Sequence, residues 1–110
     1  MPSQSSKQTE IAALLIDIEA ELRRLHWWAS RPPAPEALAS TAPFCTDTLA
    51  LEQWLQFVFI PRMRHLIESE KTLPGDCGIA PLAQLVWAKQ KRQTKTLIAL
   101  LTAVDQRLGE

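Results

Sequence analysis

Several scarcities narrow this chain before any motif does. Its 110 residues include three glycines and no tyrosine, so turns that need a positive φ are few. Lysine and arginine together number 12, as do aspartate and glutamate. That balance excludes a nucleic-acid or membrane-surface binder held by bulk charge. The longest strictly apolar run is Ile11–Ile16, far short of the roughly 20 residues that cross a bilayer. The opening MPSQSSKQTE is polar and has no secretory apolar region. Cys45 and Cys77 form no CxxC pair, and without an export signal both are expected as reduced thiols. A soluble, cytoplasmic chain with no membrane partner follows as the expectation.

What is present suits a single core. Hydrophobic residues make up 46% and charged residues 22%, which argues against wholesale disorder. One domain over 1–110 is expected, with an ordered core from about residue 7 to 108. Ile11, Leu14, Leu15, Ile18, Leu22 and Leu25 recur at helical spacing, predicting a first helix capped by Ser5 or Ser6. Glu10 would place negative charge near its positive end. It should stop near Trp28 or Ala29, before Ser30-Arg31-Pro32-Pro33-Ala34-Pro35. Pro35 suits the first turn of a short helix through Leu38. Phe44 and Cys45 then read as loop residues packed on the bundle.

A second helix is predicted from about Thr48, capped by Thr46 or Asp47. It is apolar nearly all round through Leu49, Leu51, Trp54, Leu55, Phe57, Val58, Phe59 and Ile60, as a central, buried helix is. Pro61 should kink it, because it removes the amide that would bond to the Phe57 carbonyl; the helix then runs to about Lys71. Leu73-Pro74-Gly75-Asp76 reads as a type II turn. Pro81 opens a third helix whose core side is Leu82, Leu85, Val86, Leu97, Leu100, Leu101, Val104 and Leu108. The expected fold is all-α: an antiparallel bundle of three long helices, the central one kinked at Pro61, plus a short helix in the proline-rich connection.

The run PFCTDTLALEQWLQFVFIPRM, Pro43 to Met63, resembles the signature of the YqcC-like family of small bacterial proteins, with Gln53 to Met63 as its specific part. The likeness extends from about Lys7 to Leu108. It implies an all-α bundle and a family whose activity is not established. Family genes often neighbour that of tRNA pseudouridine synthase C, so the resemblance implies this enzyme, or its tRNA, as a partner. Synthase chemistry itself needs a catalytic aspartate in a sizeable mixed α/β fold, which 110 mostly helical residues do not supply.

Candidate sites each carry a plainer alternative. Trp27 and Trp28, after His26, could form an exposed aromatic platform; the plainer reading caps the core with one and tucks the other under the proline loop. Arg62 could satisfy the carbonyl freed by Pro61, or face outward with Arg64 to bind an anion; a purely structural kink is preferred. Lys89, Lys91, Arg92 and Lys95 lie in a stretch with no acidic residue between Asp76 and Asp105. Such a cluster suits an acidic partner or RNA, against a simple solvated helix face. Trp54, Phe57, Met63 and His65 are the candidate small-ligand pocket, between the kinked helix and the proline loop. Asp17 and Glu21, four apart, could serve as an acid–base pair but are expected on an exposed polar face. His26, His65, Cys45 and Cys77 lack metal-ligand spacing, and no phosphate loop or HExxH occurs. No cofactor and no catalysis are expected. A non-enzymatic module binding a protein partner leads, followed by direct RNA binding and by a ligand-binding protein or enzyme; self-association through the tryptophans stays open.

Overall fold

In the computed structural model, residues 3–75 and 77–110 are described, with side chains from Ser6 onward. Helix α1 spans Ser3–Arg24. Ile11, Leu15, Ile18 and Leu22 are buried, a stripe at the three- and four-residue spacing read from the sequence. Ser6 lies inside α1 and does not cap it; the alternative cap, Ser5, has a side chain outside the described residues.

Helix α1 ends four residues before Trp28. His26 adopts φ 62, its amide bonding to the Arg23 carbonyl at 3.0 Å and that of Trp27 to Leu22 at 2.8 Å. That pair of bonds is a Schellman motif with histidine where glycine is usual. The reversal at His26, and not the prolines further on, ends the helix. It brings the Trp27 ring to 5.3 Å from that of Trp87.

Helix α2, Pro35–Leu38, carries its proline in the first turn as expected. The connection after it is tied down. Ser40 donates to Asp47 Oδ1 at 2.5 Å, and Thr48 donates to the Ala37 carbonyl at 2.7 Å. The first of these bonds engages Asp47, one of the two residues expected to cap the second helix, which begins later, at Leu51, with Ala50 as its N-cap. Gln53 Oε1 accepts the Ala50 amide at 2.9 Å. Between these points a 3₁₀ turn, Pro43–Cys45, holds Phe44 at φ 57 and Cys45 at φ 50. Two successive non-glycine residues in the left-handed region are costly. Burial of Cys45 and the edge-on contact of Phe44 with Trp54, centroids 4.9 Å apart, offset that strain.

The second rod is built of α3, Leu51–Trp54, a π-helical turn, Leu55–Phe59, and α4, Ile60–Glu68. The irregularity expected at Pro61 is this wide turn. The Ile60 amide reaches back five residues to the Leu55 carbonyl, so α4 starts afresh with Pro61 in its first turn, where a missing amide costs little. No residue from Leu51 to Ile60 is exposed, but the expected centre is displaced. Helix α1 is the one that lies closely against both α4 and α6. A second Schellman motif, with Glu70 at φ 55, closes α4. The turn expected at 73–76 falls on Asp76, outside the described residues.

The third helix is not continuous. Helix α5, Ile79–Val86, starts two residues before Pro81 and is followed by a 3₁₀ turn, Ala88–Gln90, and then α6, Lys95–Leu108. Residues 89–96 are polar all round, so a helix there would have no face to bury. Instead α5 and α6 fold back as an antiparallel hairpin. Leu97, Leu101, Val104 and Leu108 are buried as expected, but Leu85 is 74% and Val86 47% exposed. The buried face of α5 is Ile79, Ala80, Ala83 and Trp87. Its alanines let the α6 backbone approach closely, and this turns the leucine side outward. Among the described residues no helix is long and apolar enough to cross a membrane.

Candidate functional site

The hairpin is locked at its open end by Asp105. This buried carboxylate accepts the amides of Ile79 at 3.1 Å and Ala80 at 2.7 Å, capping α5 from α6 in place of a local cap. At the other end Trp87 and Thr94 are both buried, and the Thr94 hydroxyl donates to the Gln90 carbonyl at 2.8 Å. Between these anchors Lys89, Lys91 and Arg92 are exposed, with Lys95 just beyond. The four cations thus occupy the tip of a helical hairpin and not the face of a long helix. Among the described residues none is paired with a carboxylate.

A shallow groove of about 290 Å³ runs beside this tip. One wall is Leu82 and Val86 of α5; the other is Phe44, Leu49 and Leu51. Its one charged lining residue is Glu52, in the first turn of α3, where the helix dipole favours a carboxylate.

The aromatic platform does not stand free. Trp27 and Trp28 are both half-buried; Trp27 packs on Trp87, and the Arg23 guanidinium lies 4.8 Å from the Trp28 ring centroid. Their loop is clamped by Gln56, which accepts the Ala29 amide and donates to the Ala29 carbonyl, each at 2.8 Å.

Arg62 and Arg64 do not converge. Arg64 pairs with Glu19 at 3.1 Å, and Arg23 reaches the same carboxylate at 3.1 Å. Burial tends to raise the Glu19 pKa, but the hydrogen bonds from the two arginines outweigh it and hold it below the usual carboxylate value. Glu21, expected on an exposed face with Asp17, is buried; Asp17 alone is exposed. Arg24 grips Glu21 with two bonds, 2.9 and 2.5 Å, lowering the Glu21 pKa and raising its own. Both carboxylates are structural ion pairs.

The expected ligand pocket forms only in part. Trp54 and Met63 line a cleft of about 460 Å³ together with Phe44, Phe59, Arg62 and Leu66. Phe57 and His65 do not line it: Phe57 is half-buried and His65 exposed. Both cysteines are free thiols. Among the described residues no three histidine, cysteine, aspartate or glutamate side chains converge as metal ligands would.

Asp105 and Gln56 were not singled out in the sequence, although a signal existed for each. Asp105 sits four residues after Leu101 and three before Leu108, on the buried stripe of α6. Gln56 interrupts an otherwise apolar helix. A polar residue at a core position implies a hydrogen-bonded task.

A helical hairpin packed on a long antiparallel pair, with no strand among the described residues, defines a small all-α module. The family model DUF446, described as tRNA pseudouridine synthase C, matches residues 10–107; the chain belongs to this YqcC-like family. It is 37% identical to an uncharacterized protein of Haemophilus influenzae over 92 residues, 84% of this chain and 86% of that one. It is 36% identical to the uncharacterized protein YqcC of Escherichia coli, over 80% of this chain and 81% of the relative. The solution NMR structure of E. coli YqcC has the same fold, with TM-score 0.83 and 32% identity, over 94% of this chain and 89% of that one. A protein of Pectobacterium carotovorum named tRNA pseudouridine synthase C is 41% identical over 88 residues; these cover 79% of this chain but 23% of that much longer one.

Proposed function

We propose that this chain is a non-enzymatic helical module that binds a protein partner, and that the partner is a tRNA pseudouridine synthase C. The observation that carries this reading is the Pectobacterium relative. A unit 41% identical to this chain accounts for only 23% of a protein bearing that enzyme's name. Covalent linkage keeps two units at high effective concentration. Where they are separate chains, a docking surface must do the same.

Mixing the purified chain with the synthase from the same organism tests this reading by calorimetry. A saturable complex with a Kd of about 1 µM or tighter is expected, and the chain alone turns over no tRNA. Heat of dilution alone, or turnover by the isolated chain, overturns it. Direct contact with tRNA phosphates is the second reading, favoured by the unpaired Lys89, Lys91, Arg92 and Lys95. It requires an affinity that falls steeply with salt.

A further inference from the structure

Helix α5 carries a surface that the fold itself does not use. Leu85 and Val86 are 74% and 47% exposed although they sit on a helix whose other face is wholly buried. Leu82 and Val86, four apart, form one wall of the groove facing Phe44, Leu49 and Leu51. Lys89 is exposed in the 3₁₀ turn that follows α5, three residues beyond Val86. Beyond it Lys91, Arg92 and Lys95 crown the tip. The surface is therefore apolar along its length and cationic at one end.

We infer that this face of α5 binds an acidic amphipathic helix of a protein partner, its apolar side chains seated over Leu82, Leu85 and Val86 and its carboxylates against the basic tip. Two observations choose this occupant over RNA. Leu82, Leu85 and Val86 offer nothing to a phosphate backbone, and the two aromatics that line the groove, Phe44 and Trp87, are engaged with the Trp54 and Trp27 rings and not laid out as a platform for a base. The cations stand at one end of an apolar groove, the arrangement that reads an amphipathic helix by its i, i+3, i+4 and i+7 anchors. The tip is also preorganised, since Trp87 and Thr94 fix both of its ends in the core; ordering it on binding costs little. The single groove carboxylate, Glu52, lies on the α3 wall and not among the cations.

The inference names the surface that the proposed function would use, but its test separates the two. One arm titrates the isotopically labelled chain with the synthase, the other with a synthetic acidic amphipathic helix bearing leucines at i, i+3, i+4 and i+7. A scrambled peptide of equal composition and a tRNA are the controls. The expected result is saturable amide shifts at residues 82–95 with the peptide and the synthase, and none with the scramble. Leu85→Ser and the pair Lys89→Glu/Lys91→Glu should each weaken both complexes about tenfold or more, while Ile16→Ser, on a different exposed surface, leaves them unchanged. All three sites are exposed, so unaltered circular dichroism and Tm are expected and serve as the folding check. Equal binding of the scramble, shifts elsewhere, or a tRNA complex indifferent to Leu85→Ser overturns the inference. If the synthase binds and these variants do not weaken it, the face is wrong and the proposed function stands. If the synthase fails to bind while the peptide arm succeeds, the proposed function falls and the face stands.

Discussion

Helices α5 and α6 carry similar apolar patterns and meet opposite fates. On α6, Leu97, Leu101, Val104 and Leu108 are almost wholly removed from water. On α5 the equivalent large residues, Leu85 and Val86, remain in it, and the small residues Ala80 and Ala83 take the core. The difference teaches that periodicity identifies a helix face without saying which face the neighbour occupies. On α5 both stripes are apolar, and close approach to α6 favours the alanine side. The leucine side is left over as apolar surface in water, Leu85 and Val86 side by side.

The largest effect expected is the contrast within that pair. Leu101→Ala, at a fully buried site, should cost about 2–5 kcal/mol in urea unfolding. Leu85→Ala should stay within about 0.5 kcal/mol, and an equal loss at both sites would erase the distinction. Next is the cap that holds the hairpin closed. Asp105→Ala strands the amides of Ile79 and Ala80 and should cost about 2–3 kcal/mol. Asp105→Asn, which keeps one acceptor oxygen, should recover part of it. Gln56→Ala removes both bonds to Ala29 and should cost about 1–3 kcal/mol, with a red shift of tryptophan emission as the Trp27–Trp28 loop loosens.

A smaller effect separates α1 and its ion pairs from the α5 face by pH. The carboxyls of Glu19 and Glu21 titrate below the ordinary value of 4.5 when folded. Their pairs therefore contribute fully above that value, and the contribution fades as pH falls below it. Each pair contributes little, because its arginine is solvent-exposed and the attraction is screened. Glu19→Gln/Glu21→Gln should flatten the acid side of the stability profile, and an unchanged slope would refute the pairing. Smallest, and of opposite sign, is His26→Gly. It relieves a left-handed histidine whose side chain is exposed and should raise stability by about 0.5–1 kcal/mol. Thermal unfolding reads that gain.

The sequence made much of this fold legible. The α1 stripe, the first-turn proline of α2, the burial of 51–60 and the α6 stripe all follow from spacing and proline chemistry, and the YqcC-like signature agreed with them. What escaped was tertiary. His26 ends α1 because Trp27 must meet Trp87, and no local rule places a left-handed turn on histidine. Asp47 does not cap the second helix, because its carboxylate accepts from Ser40, seven residues back. Pro61 announced an irregularity but not the π turn that absorbs it. The tip between α5 and α6 was visible only as polarity, read as a helix face when it is the bend. Of the candidate site, the four cations were legible; Leu85 and Val86 beside them were assigned to the core.

Amide hydrogen exchange on the chain, free and mixed with the synthase, decides whether the exposed face of α5 is the surface a partner covers. Added protection on binding is expected over residues 82–95, with the amides of α1 and the second half of α6 unchanged. Protection gained instead along α1 and α4, with 82–95 exchanging as in the free chain, would contradict it.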